Sequence, residues 1–276
     1  MAQASSRPPE PTFRPGLFEG TAEDYDRYRL PYPDVLVERI RDDLRPDGAG
    51  RLVDLGAATG FVARALRPFF ADVIAVDPEP EMVEYGRARS AREADGIQWR
   101  LGRAEDVDLP SGSLDVVASG NAFHRFDRPV VAKQAARWLR PDGAVVLMWS
   151  NSFTDPAWTE GGRVRAELSR VIDEWHTRSG AGARVPAGWE RKEYPDETVL
   201  REAGFTQQVE HEVRLRHTWT VDTIVGFLRG TSASSRAAMG DHHDAFETDV
   251  RKTLLDIDPS GLYEQDVRYG ARIARR

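Results

Sequence analysis

Asp54, Gly56, Gly60 and Asp77 are the residues whose types and spacing point most directly to chemistry. Glycines behind a short apolar run let the backbone turn tightly and approach a ligand closely. An acid roughly twenty residues beyond such a turn can accept hydrogen bonds from both hydroxyls of a ribose. Together they form a cradle for a nucleotide-like cofactor. The dinucleotide pattern G-x-G-x-x-G would require glycine where Ala58 and Phe61 stand, which disfavours NAD and FAD, and no phosphate loop of the G-x-x-x-x-G-K type is present. The plain alternatives are an ordinary strand-to-helix turn for the glycines and a helix cap for Asp77, which precedes Pro78.

The elements that must position these residues follow from periodicity. Leu52–Leu55 reads as a buried strand, and Phe61–Phe70 as a helix with Val62, Leu66 and Phe69 on one face. Further strands are expected at Val73–Asp77, Ile97–Leu101, Ser113–Ser119 and Ala144–Trp149. Helical stripes flank them, with Leu36, Ile40 and Leu44 first and Val131, Ala135 and Leu139 later. Five strands alternating with helices indicate a parallel sheet. Leu139–Gly143 reads as a stop and turn. Beyond Ser150 come a helical stripe (Val164, Leu168, Val171, Ile172, Trp175), a glycine-rich connector over 180–188, and a core helix Thr198–Ala203 closed by Gly204. Alternating strands are expected around Val209–Leu215 and Tyr263–Ile273, with helices over 221–256 between them.

Three stretches carry a family resemblance. Asp54-Leu-Gly-Ala-Ala-Thr-Gly60 resembles motif I of the class I S-adenosylmethionine (SAM) methyltransferases, D/E-x-G-x-G-x-G, with Ala58 at the middle glycine. Tyr25-Asp-Arg-Tyr-Arg-Leu-Pro-Tyr-Pro33 resembles their Y-D-x-x-R-P-x-Y-P segment, with Leu30 in place of proline. Gly120-Asn-Ala-Phe-His-Arg-Phe-Asp127 resembles the A-x-H-W motif of the type 11 group, which includes the trans-aconitate and ubiquinone/menaquinone methyltransferases; here Arg125 replaces the common tryptophan.

The resemblance implies an α/β fold: a Rossmann-like seven-stranded class I sheet, mostly parallel with an antiparallel end, plus helical cap insertions. The polar, proline-rich start reads as a disordered tail over 1–15; the resemblance implies one domain over 16–276, with core 34–150, 196–217 and 260–275 and cap 16–33, 151–195 and 218–259. It further implies SAM as cofactor. Tyr25, Tyr28 and Arg29 would meet the methionine end, Arg29 by pairing with the carboxylate. Asp54, Gly56, Ala57 and Gly60 would form the cradle, and Asp77 would take the ribose. Met82 would pack at the adenosine, Ala104 and Glu105 would contact the adenine, and Asn121, Ala122 and His124 would line the cofactor after the fourth strand.

His124 and His217 are the candidate bases for proton removal from an acceptor, although a lone histidine is more often structural. Asp241-His-His-Asp244 reads as a solvated helix start rather than a metal site, since adjacent histidines point apart on a helix. The net charge of −7 argues against nucleic acid as the main partner, and the absence of cysteine excludes thiolate chemistry. No run reaches membrane-spanning length, and the N-terminus lacks a secretory core, so a cytoplasmic protein is expected. Trp158, Trp175, Trp189, Trp219 and Tyr28 would suit an apolar or aromatic small-molecule acceptor, methylated on carbon or oxygen. The composition resembles that of bacterial natural-product enzymes. The alternative is an inactive SAM-binding regulatory protein, and a homo-oligomer formed by exchange of the N-terminal helix is a further expectation.

Overall fold

The computed structural model describes residues 15–151, 162–184 and 194–276. The expected 1–15 tail, Trp158, Trp189 and the 186–188 connector lie at least largely outside these residues.

Helices α1 (Ala22–Tyr28) and α2 (Asp34–Leu44) lead into β1 (Arg51–Leu55), α3 (Phe61–Leu66), β2 (Asp72–Asp77), α4 (Pro80–Glu93) and β3 (Gln98–Leu101). Then come β4 (Leu114–Gly120), α5 (Arg128–Trp138), β5 (Leu139–Ser150), α6 (Gly162–Ser179) and α7 (Asp196–Glu202). The chain continues through β6 (Gln207–Thr220), α8 (Val221–Arg229), α9 (Arg236–Met239), α10 (His243–Ile257) and β7 (Leu262–Arg275). Two boundaries differ from the sequence expectation. The helix after the glycine turn ends at Leu66, where Arg67–Phe69 tightens into a single 3-10 turn containing Pro68. Leu139–Gly143, expected as a turn, is drawn into β5 across a register irregularity between Leu114 and Val116.

The seven strands form one sheet in the order β3-β2-β1-β4-β5-β7-β6. Strands β1 to β5 pair in parallel, while β7 runs antiparallel to both β5 and β6. In β1, Leu52, Val53 and Leu55 are all buried, as a central parallel strand covered on both faces must be. One face packs on α2 and α3 through Leu36, Ile40, Val62 and Leu66. The other packs on α5 and α7 through Val131, Trp138, Val199 and Leu200. A third apolar cluster joins Leu168 and Trp175 of α6, Ile224 and Phe227 of α8 and Phe246 and Val250 of α10 to Trp219 and Tyr263. These three helices bury their stripes on one another beyond the ends of β6 and β7. No helix among the described residues is long and apolar enough to cross a membrane.

Candidate cofactor site

At the carboxyl end of β1 the chain turns through three residues of positive φ: Gly56 (67°), Ala58 (48°) and Gly60 (99°). A Cβ on Gly56 would lie 2.6 Å from that of Ala122, and one on Gly60 would lie 2.9 Å from the Trp99 ring. The glycines therefore let the turn pack against β3 and the loop after β4. Ala58 holds a left-handed conformation despite its side chain, which costs about 1–2 kcal/mol.

Two carboxylates organise the turn. Asp77 is buried; its Oδ2 accepts the Ala58 N–H (2.8 Å) and its Oδ1 accepts the Glu79 N–H (2.9 Å). Burial, only partly offset by those N–H groups, pushes its pKa up to about 6. Asp54 is wholly buried, and its Oδ2 accepts the Ala63 N–H at 3.0 Å. Its Oδ1 has no hydrogen-bond partner. Burial raises the Asp54 pKa to about 8 against the Ala63 bond, with a smaller push from Asp77.

Asp54, Gly56 and Ala57 form the floor of a cavity lined also by Tyr25, Arg29, Leu30, Tyr32, Phe61, Val62, Gly120, Asn121 and Ser150. Arg29 stands at the C-cap of α1, its guanidinium 5.2 Å from the Tyr25 ring and 5.0 Å from the Phe227 ring. That sandwich fixes a cation at the cavity wall. Tyr25 also meets Phe18 and Phe61 edge-on at 6.3 and 6.0 Å. Burial raises the pKa of the Tyr32 hydroxyl, so the phenol stays neutral. An orphaned carboxylate oxygen with a fixed guanidinium at the same cavity suits a zwitterionic amino-acid group, such as the methionine end of SAM.

The other expected residues divide. Asn121 lines the cavity at φ 50°, its Nδ2 donating to Ser150 Oγ at 3.2 Å. Ala122 abuts Gly56. Ala104 is buried with Phe123 and Phe126. Glu105 Oε1 accepts the Asp127 N–H at 2.8 Å, pinning the loop after β4 to the loop after β3. Met82 is buried in α4 and is absent from the cavity wall. His124 sits in the single turn Phe123–Arg125, and His217 packs 4.6 Å from Trp219; neither lines the cavity. Tyr28 packs on Gly226, while Trp175 and Trp219 belong to the helical cluster, their indole N–H groups donating to Asp249 and Gln265. The cap helices use these rings for their own core instead of presenting them to a ligand. His243, expected to be solvated, is buried with its Nε2 3.3 Å from Glu247 Oε1.

Sequence reasoning missed Tyr32, Phe61 and Ser150 as wall residues and Arg125, whose guanidinium lies 5.1 Å over Phe18. Tyr32 was legible, since it falls inside a motif that carried the resemblance, and Phe61 directly follows another. Ser150 reaches the wall only through the length of β5. Behind Asn121 lies a more open hollow with Trp149, Glu197, Glu210 and Arg272 on its walls.

A family model described as a methyltransferase domain matches residues 53–147, the span from β1 through most of β5. Over those residues the chain carries a SAM-dependent methyltransferase domain of the class I type. Over 247 residues it is 26% identical to a methyltransferase-named protein of Dictyostelium discoideum, covering 90% of this chain and 88% of that one. A methyltransferase-named protein of Mycobacterium bovis is 36% identical over 148 residues, which is 54% of this chain and 55% of that one, so the chain spans about half of that relative. The YcgJ protein of Bacillus subtilis has a similar fold, with a TM-score of 0.56 at 19% identity over 88% of this chain and 99% of that one. This methyltransferase therefore takes SAM as its cofactor.

Proposed function

We propose that this methyltransferase holds SAM at the cavity over Asp54 and methylates a small-molecule acceptor with an apolar or aromatic body on carbon or oxygen. The observation that carries the reading is the unpartnered Oδ1 of buried Asp54, in a cavity whose wall also holds Arg29. Asp54 would face the ammonium of the cofactor, Arg29 its carboxylate, Asp77 the ribose, and the glycine turn its backbone. When bound, SAM supplies an electrophilic methyl on a sulfonium, so the protein need only align the acceptor and keep water out.

Tyr25, Leu30, Tyr32 and Phe61 place aromatic and apolar side chains on the cavity wall, which supports an apolar acceptor. The hollow behind Asn121 fits less well, because Glu197 and Glu210 are already paired with Arg272 at 3.4 and 2.5 Å. Since neither His124 nor His217 lines the cavity, the proposed catalysis draws on alignment rather than on a histidine base. Residues 16–33, 151–195 and 218–259 would act as the cap and the rest as the core. A cytoplasmic setting, a role in natural-product tailoring and assembly into a homo-oligomer belong to the same reading, as does the absence of a nucleic-acid partner.

The test is calorimetric titration with S-adenosylhomocysteine (SAH), followed by methyl transfer from tritiated SAM to a panel of phenols, enols and alkenes. Saturable SAH binding that weakens at least tenfold in Asp54→Asn, with label entering an apolar acceptor, supports the reading. Unchanged binding in that variant would sink the site assignment, and label entering only charged acceptors would sink the acceptor class.

A further inference from the structure

We propose that Glu79 is a positioning residue: it latches the 15–20 strap over the adenosyl half of the cofactor site and so sets how fast cofactor leaves. The inference rests on the SAM site proposed above.

Glu79 occupies the N-cap position of α4, yet its side chain makes no cap hydrogen bond to that helix. It points instead to the strap. Oε1 accepts the Leu17 N–H at 2.9 Å and the Phe18 N–H at 3.4 Å, and Oε2 accepts the Gly16 N–H at 3.2 Å. The residue is only 6% exposed. Neighbouring Glu81 adds a second hold, its Oε2 accepting the Gly20 N–H at 2.5 Å. Several backbone donors converging on one buried carboxylate make strong charge-assisted bonds. A helix cap does not account for them, because they run to a segment more than sixty residues away (|i−j| 61 to 63).

The strap carries Phe18, which lies under the Arg125 guanidinium at 5.1 Å and edge-on to Tyr25 at 6.3 Å. Tyr25 lines the cavity beside Phe61. From its own backbone N–H, Glu79 donates to Asp77 Oδ1, which ties the latch to the proposed ribose acid. The chain Asp77–Glu79–Phe18–Tyr25 thus joins the proposed ribose acid to the cavity wall. An adenosyl group held by Asp77 would lie beside this strap, so the lifetime of the latch would set the lifetime of the complex.

SAH dissociation measured by stopped flow, together with amide exchange of peptides covering 15–20, tests this on the full chain. Glu79→Ala should speed SAH loss about tenfold or more, the scale set by losing hydrogen bonds to a charged group. Exchange at Gly16, Leu17 and Phe18 should slow on SAH binding in the wild type and stay fast in the variant. Glu79→Gln keeps the size of the side chain and should fall between the two. Phe18→Ala removes the ring of the strap without touching the latch and should also speed release. SAH release within twofold of wild type in both Glu79→Ala and Phe18→Ala would overturn the latch while leaving the site standing. Wild-type protein that fails to bind SAH would overturn the site, and the latch with it.

Discussion

The Asp77 carboxylate accepts the N–H of Ala58, so the end of β2 holds the middle of the glycine turn at 2.8 Å. That bond orders a residue in left-handed backbone (φ 48°) where the family places glycine. Asp77 is therefore both scaffold and proposed ligand, whereas the alternative reading of it as a helix cap does not hold, since Glu79 is the N-cap of α4.

Relieving the strain at Ala58 should stabilise the protein. Ala58→Gly removes a Cβ from an unfavourable conformation, with part of the gain lost to greater chain entropy in the unfolded state. The expected gain is about 1 kcal/mol, or roughly 2 °C in Tm, read by thermal melting. Asp77→Asn should go the other way and weaken SAH binding as well.

The raised acids predict a pH dependence. Asp54 and Asp77 have folded pKa values of about 8 and about 6, against an ordinary value of 3.8. Each is kept neutral in the fold to a higher pH than in the unfolded chain, so unfolding releases protons between these limits. Stability of the cofactor-free protein should accordingly fall as pH rises from about 4 to 8. Asp54→Asn should flatten the upper part of that slope, as measured by urea midpoints across pH.

Cofactor binding should show the converse. A cationic ammonium beside Asp54 favours its carboxylate, so binding below pH 8 should release a proton and tighten as pH rises from 6 to 8. Titrations in buffers of different ionisation enthalpy should reveal that proton in the wild type, and Asp54→Asn should lose it.

Arg128 and Asp196 make an asymmetric pair. The guanidinium is fully buried and donates to Asp196 Oδ1 at 2.6 Å, whereas the Asp196 side chain is 17% exposed. Asp196→Ala withdraws a partner from a buried cation and should cost about 3 kcal/mol. Arg128→Met should cost less, because the remaining carboxylate can reach water. Denaturant midpoints of the two variants decide the order.

The core of the fold was legible because its signals are local. Leu52–Leu55 and Val73–Asp77 are apolar runs with no competing period, and the turn between them carries its own glycines. β6 was only partly legible: Glu210, Glu212, Arg214 and Arg216 dilute the apolar pattern of a strand that runs from Gln207 to Thr220. In the site, Asp54, Arg29 and Asn121 line one cavity, while Asp77 stands behind the glycine turn outside its lining. Met82, His124 and His217 did not reach the cavity, because burial on a helix or beside a ring satisfies the same residue types. The latch by Glu79 was invisible, since nothing local links it to Gly16, Leu17 and Phe18.

The position of β7 between β5 and β6 also bears on how the chain is made. During synthesis β6 leaves the ribosome dozens of residues before the strand it pairs with. For that interval it is a nascent ribbon with no neighbour, bearing Val209 and Leu215, which stay part-exposed even in the finished sheet. Its alternating acids and arginines guard such a ribbon against pairing with another molecule. The charges that blur β6 as a strand are thus a safeguard for vectorial folding, and replacing them with threonine should turn newly made chains toward aggregation.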